Sequence, residues 1–198
     1  MPMMSRVERR FCSSGAWRRL VRTTVAPWVL QGRDLQGEVL EVGGGSGALA
    51  EVVARGFPRA SVSVTDIDPA MVRSMEARLS GLTNTTTAVA DATSLPYGAA
   101  QFDVVLSNLM LHHVIAWRDA VAEFSRVLKP GGLLLGYDLL PTPLATGIHL
   151  ADRSPFLLVG RAELMAALLR SDLTRCVVDR AVGGVAMRFS ATRAVPRA

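Results

Sequence analysis

Three glycines, a serine and a fourth glycine close an apolar run in this chain: Val39-Leu40-Glu41-Val42-Gly43-Gly44-Gly45-Ser46-Gly47. A strand that ends in glycines and opens a helix lets backbone approach a ligand closely and aims helix N–H groups at it. Gly43 and Gly45, with Ala48 as the third small residue, also satisfy the loose dinucleotide-binding pattern, so the loop alone leaves the ligand open. Two acids narrow it. Glu41 stands two residues before the first glycine, and Asp66 closes the next apolar run, where a carboxylate can accept both hydroxyls of a ribose. A carboxylate at the Asp66 position is shared by NAD and other adenosine ligands, so the kind of adenosine ligand stays open here. Asp91 follows a third apolar run and His112-His113 a fourth. A histidine titrates near neutrality and is suited to act as a general base.

These residues need elements to carry them. Short apolar runs alternate with helical patterns through the middle of the chain, the mark of a doubly wound α/β fold on a parallel sheet. Strands are expected at Val39 to Val42, Val62 to Thr65, Thr86 to Ala90, Phe102 to Ser107 and Leu133 to Tyr137. Ser46 is placed to cap a helix from Gly47 to about Arg55. Asp68 and Pro69 give a strong start signal for a second helix that ends near Ser80. A third, amphipathic helix over Trp117 to Leu128 is expected to stop at Lys129-Pro130-Gly131-Gly132. Leu139 to Gly160 holds three prolines and reads as a loop or broken-helix insertion, and Arg161 to Arg170 as a helix. Gly183-Gly184 between two β-patterned runs signals a hairpin, so the sheet is expected to end with an antiparallel pair. Upstream of the first strand, Trp17 to Leu30 reads as a helix interrupted at Pro27.

With 198 residues, 49% hydrophobic and 20% charged, the chain fits one globular domain; disorder, collagen-like and coiled-coil classes are excluded. Cys12 and Cys176 have neither metal-ligand spacing nor the numbers for a disulfide framework, which fits a reducing compartment. No metal cluster, signal peptide or run long enough to span a bilayer is apparent, and a cytoplasmic protein is expected. The net charge of +5 is unevenly spread. Residues 1–22 carry six arginines against Glu8, residues 23–152 are net acidic, and the remainder is again basic.

Four ordered motifs, EVGGGSG, VTDIDPAMV, VADATSLPYGAAQFDVVLSN and RVLKPGGLLLG, closely resemble those of the class I S-adenosylmethionine-dependent methyltransferases, especially the small-molecule branch with the quinone methyltransferases. The resemblance runs from about Val39 to Tyr137 and weakly to Ser190. It implies a Rossmann-like, seven-stranded, mostly parallel sheet with an antiparallel last strand, and S-adenosyl-L-methionine as cofactor. It further implies cofactor contacts at Glu41, Gly43, Gly45, Gly47, Asp66, Ile67, Asp91, Ala92 and Asn108: the glycine loop under the methionine part, Asp66 at the ribose, Asp91 on the adenine amino group with the Ala92 backbone beside it. Asp68 stands where the family often has Ser; both are good N-caps. Residues 37–198 would then be the methyltransferase domain, residues 1–36 a basic helical segment on the substrate side, and 139–160 an insertion or lid.

Methyl transfer is an in-line displacement that depends mostly on alignment. If the acceptor is a hydroxyl, a base helps, and His113 and His112 are the catalytic candidates. Phe11, Trp17, Trp28, Leu140, Ile148, Phe156 and Leu157 lie in the segments free to shape the acceptor pocket, which favours O- or C-methylation of a small, lipophilic molecule. The basic start allows an acidic acceptor or contact with a membrane surface. Two other readings stay open at this level: an RNA methyltransferase tracking phosphates with Arg6, Arg9, Arg10, Arg18, Arg19 and Arg22, though no aromatic platform accompanies them, and a cofactor-binding module without turnover. No DNA partner is expected, and the oligomeric state is left open.

Overall fold

A computed structural model describes residues 6–152, 155–181 and 183–196. The side chains of Arg6 and Ile148 lie outside the described residues. Among those described, the strands are β1 Gly37–Val42, β2 Ala60–Asp66, β3 Thr85–Val89, β4 Phe102–Asn108, β5 Leu128–Leu139, β6 Leu173–Arg180 and β7 Ala186–Arg193. They form a seven-stranded sheet in the order β3-β2-β1-β4-β5-β7-β6. The first five run parallel, and β7 lies antiparallel to both β5 and β6. The chain moves outward from β1 through β2 to β3, then crosses back to β4 on the other side of β1. That reversal opens a crevice at the carboxyl ends of β1 and β4, where open α/β sheets bind ligands.

Side-chain alternation divides the core into two layers. Val39 of β1 and Val104 and Leu106 of β4 pack on one face with Ala50, Val53, Val62 and Met75. Leu40 and Val105 pack on the other with Phe102, Trp117, Val121 and Phe124. Successive strand residues point to opposite faces, so strands covered on both sides become nearly all apolar. The covering helices are α4 Ala48–Gly56, α5 Pro69–Leu79, α6 Trp117–Val127 and α8 Arg161–Arg170, with α7 Pro143–Asp152 in the expected insertion. Before β1 stand α1 Arg6–Cys12, α2 Gly15–Leu20, a π-helical turn Val21–Val25 and α3 Ala26–Leu30.

The α5 start is as expected: Asp68 accepts the Ala70 N–H at 2.8 Å and Pro69 takes the first position. Ser46 does not cap α4. Gly47, in the left-handed region at φ 77°, occupies the cap, and the Ser46 hydroxyl donates to the Cys12 carbonyl at 2.5 Å. The N-terminal helices pack over the loop and claim that hydroxyl. Pro27 does not break its helix either; it lies in the first turn of α3, where its missing N–H costs nothing, and the widened π turn precedes it. Lys129-Pro130-Gly131-Gly132 follows α6 but belongs to β5, absorbed by a register shift: Phe102 pairs with Leu128, then Val104 with Leu133.

Gly136 is where β5 is most tightly enclosed. A Cβ there would overlap the Ser107 carbonyl oxygen and stand 2.5 Å from Cζ of Phe189. Gly136→Ala is therefore expected to destabilise the fold by about 3 kcal/mol. A urea midpoint equal to that of the parent protein would contradict this packing.

Candidate active site

The crevice is floored by the loop between β1 and α4. Gly43 and Gly44 donate their N–H groups to the Thr65 carbonyl at 2.8 and 2.9 Å, and Gly45 donates to Oδ2 of Asp66 at 2.9 Å. Gly43 and Gly45 hold φ of 71° and 55°, a left-handed geometry that side chains resist. Their surroundings differ. A Cβ on Gly43 would stand 2.7 Å from Cβ of Met110, whereas nothing lies within 4 Å of one on Gly45, whose face is bare toward the cavity. Asp66 is buried; its Oδ1 accepts the Asp68 N–H at 2.9 Å. Burial raises its carboxyl above the usual range against the pull of those N–H donors. One carboxylate thus ties the end of β2 to the glycine loop, a duty the sequence did not disclose.

Glu41 and Asn108 line the same cavity as Gly43, Gly44 and Gly45. Glu41 is 3% exposed, and burial, with Asp66 adding to it, pushes its carboxyl up to about 8 despite the Ala50 backbone. Its Oε2 has no hydrogen-bond partner among the described residues, nor do the two amide atoms of Asn108. A buried acid and amide left in this state are matched by a ligand that brings a cation and both donor and acceptor groups. The amino-acid end of S-adenosylmethionine has those groups, so the residues present fit it.

Across the cavity stand three imidazoles. Leu111–His113 forms one 3-10 turn after β4, and His112 is buried with Nδ1 2.5 Å from Oδ1 of Asp138. Asp138 also accepts the N–H groups of Leu111 at 2.7 Å, His112 at 3.3 Å and Leu139 at 2.6 Å. The His112 ring centre lies 4.1 Å from that of His113 and 4.9 Å from that of His149, which α7 supplies and which stacks on Phe156. Burial, then the neighbouring His112 and His149, push His113 down to about 4 although Asp138 opposes the shift. Asp138 and His149 escaped the sequence reading. A lone acid in the apolar run Leu133 to Leu140 was a usable signal for the first; nothing marked the second.

Phe11, Cys12, Trp17, Val21 and Val25 close the cavity from the N-terminal helices, and Tyr137 and Leu139 from β5. Of the other expected acceptor residues, Trp28 packs edge-on against Tyr137 at 5.4 Å, Leu140 is in the core and Leu157 is exposed. Gly47, Asp66, Ile67, Asp91 and Ala92 are not part of this lining; Asp66 ends β2, and Ile67 and the Asp91-Ala92 pair follow β2 and β3, one and two strands further out. Burial acts to raise the Asp91 carboxyl, but the Thr93 N–H at 2.8 Å and hydroxyl at 2.7 Å outweigh it and hold it below the usual range. Among the described residues no group of three His, Cys, Asp or Glu could hold a metal ion.

Residues 40–136 match a family described as methyltransferase domain. The chain is 42% identical over 113 residues to the ubiquinone/menaquinone biosynthesis C-methyltransferase of Bordetella parapertussis, an alignment covering 54% of this chain and 43% of that protein. It is 36% identical over 107 residues to the malonyl-[acyl-carrier protein] O-methyltransferase of Hahella chejuensis, covering 54% and 38%. The chain thus spans less than half the length of either relative. A SAM-dependent methyltransferase of Aquifex aeolicus has the same fold, with a TM-score of 0.74 at 18% identity over 94% of this chain and 97% of that one.

Glu41 sets a pH dependence. Its folded value of about 8 lies above the ordinary 4.5, so between the two the folded carboxyl keeps a proton that the unfolded one has lost. Its contribution to stability is complete below 4.5 and is lost as pH rises through about 8. Glu41→Gln keeps the shape without the titration. Denaturation across that range in ligand-free protein should show a flatter decline for the variant; parallel curves would contradict the burial.

Proposed function

We propose that the chain is a class I S-adenosylmethionine-dependent methyltransferase, a reading supported by the methyltransferase-domain match and the quinone methyltransferase likeness, and that it transfers a methyl group from S-adenosylmethionine to oxygen or carbon of a small, lipophilic acceptor. The supporting observation is a single cavity with a buried carboxyl, one oxygen of which lacks a hydrogen-bond partner among the described residues, and a bare glycine loop on one side and a carboxylate-held imidazole on the other. When bound, S-adenosylmethionine supplies a methyl group activated by its own sulfonium charge. Glu41 and Asn108 hold the amino-acid end over Gly43, Gly45 and Gly47; Asp66 and Ile67 take the ribose; Asp91 and Ala92 take the adenine. Residues 37–198 carry this work, residues 1–36 wall the acceptor side, and the 139–160 insertion delivers His149 and Phe156.

Of the two histidines named from sequence, His112 is the better base. A group near 4 is too weak to take a proton at neutral pH, which disfavours His113. The Asp138 carboxylate receives the Nδ1 proton of His112, so Nε2 carries the lone pair, and the imidazolium formed on proton transfer gains a counter-charge. The acceptor is then a molecule with an ionisable O–H or C–H that becomes nucleophilic on losing its proton. Phe11, Trp17 and Phe156 supply its apolar surroundings.

Contact with an anionic membrane surface on the cytoplasmic side is the partner this face supports. Arg10, Arg18, Arg19 and Arg22 are exposed on the outside of the helices whose inner face lines the cavity. Beside them Val7 is 71% and Phe11 54% exposed, and α7 exposes Leu144 and Leu150. Apolar side chains among arginines attract an anionic bilayer, each basic residue being worth about 1 kcal/mol at the surface.

Turnover is tested by formation of S-adenosylhomocysteine with quinols and phenols as acceptors. His112→Ala is expected to lower kcat by about 100-fold with S-adenosylhomocysteine binding retained; unaltered kcat would remove the base. In flotation assays, the Arg18→Glu/Arg19→Glu/Arg22→Glu protein should release vesicles containing phosphatidylserine that the parent binds. Equal binding by both, or a preference of the parent for RNA with a steep salt dependence, counts against the membrane.

A further inference from the structure

The RVLKPGG motif contributes no group to the cavity, yet its first residue reaches the segment between β3 and β4. Arg126, near the end of α6, is joined to Glu123 by two hydrogen bonds, Nε to Oε1 at 2.6 Å and Nη2 to Oε2 at 2.7 Å. Both residues then turn to the segment between β3 and β4. Oε2 of Glu123 accepts the Leu95 N–H at 2.8 Å, Nη2 of Arg126 donates to the Leu95 carbonyl at 3.1 Å, and Nη1 to the Tyr97 carbonyl at 2.8 Å. Leu95 is thus held at both its backbone groups by one ion pair. The pair holds Glu123 below and Arg126 above their ordinary ranges, so both stay charged.

Leu95 follows a short turn that ends at the acid assigned to adenine. The Ser94 N–H donates to the Asp91 carbonyl at 3.1 Å, and Thr93 holds Oδ1 of Asp91 with both its N–H and its hydroxyl. The segment is pinned on its other side by Tyr97, edge-on to Phe102 at 4.9 Å, and by the Ala100 N–H on the Arg126 carbonyl. Contacts therefore run without a gap from Glu123 and Arg126 through Leu95 and the 91–94 turn to the Asp91 carboxylate.

We propose that Glu123 and Arg126 are positioning residues for the adenine of the cofactor, fixing from outside the crevice the turn on which Asp91 reads the 6-amino group. The proposal rests on the placement of adenine beside Asp91 given above. Charge-assisted hydrogen bonds to backbone carbonyls have fixed direction, so the pair holds the turn in a conformation that Leu95 burial alone leaves free to shift.

The probes are S-adenosylhomocysteine and S-inosylhomocysteine, in which a carbonyl oxygen replaces the amino group and meets the carboxylate acceptor to acceptor. Calorimetry on the parent protein should show a preference for the adenosyl compound. In Arg126→Ala that preference is expected to fall about tenfold, the worth of one lost charge-assisted bond, mainly through weaker S-adenosylhomocysteine binding. Glu123→Gln, which keeps an acceptor for Leu95 and is the milder change, should lose part of it, and Arg126→Lys should restore part of what Arg126→Ala loses. A folded variant with the parent's preference intact overturns the proposal while leaving adenine beside Asp91. A parent protein that binds both compounds equally removes that placement, and the proposal with it.

Discussion

The Asp66 carboxylate is the contact on which the site depends. It ends β2, yet one of its oxygens holds Gly45 and the other holds Asp68, so the glycine loop and the start of α5 are set by one side chain. A carboxylate is seldom buried unless N–H groups compensate it, and here the compensating groups are the ones the crevice needs in place. Each oxygen has a second lone pair, which leaves acceptor capacity for ribose hydroxyls without dismantling the loop. The same residue therefore organises the loop before any ligand arrives and can still contact one.

Around that point the charges divide by location. Glu41 beside the glycine loop is buried and lines the cavity, and Asp66 is buried against backbone donors. Arg10, Arg18, Arg19 and Arg22 of the first helices and the turn after them are exposed and leave Trp17, Val21 and Val25 to wall the cavity. The modest overall charge conceals buried acids at the glycine loop and an exposed arginine surface on the first helices.

What the sequence disclosed was local. Strand alternation, the Asp68-Pro69 helix start, the glycine turn and the final hairpin are each specified within a few residues, and the structure follows them. What it hid depends on distant partners. Ser46 has the chemistry of a cap but is claimed by Cys12, 34 positions away. His112 was visible as a candidate, whereas its partner Asp138 lies 26 positions on and meets it only because β4 and β5 are paired. His149 comes from an apolar, proline-flanked stretch that reads as a loop or broken helix, although Thr142 accepts the Ala145 N–H at 3.2 Å and Pro143 opens the helix. The Pro-Gly-Gly run follows the end of α6 as expected, but that its residues join β5 depends on a neighbouring strand absorbing them through a register shift.

The ion pair between Arg9 and Asp68, 3.0 Å long and with the carboxylate nearly out of solvent, joins two regions that otherwise have separate duties. Asp68 caps α5 next to the acid assigned to ribose, and Arg9 belongs to the helix that leads into Phe11 and Cys12 on the acceptor wall. The pair therefore makes the first helix and the start of α5 one mechanical unit, so that a displacement of the helix is felt two residues beyond Asp66.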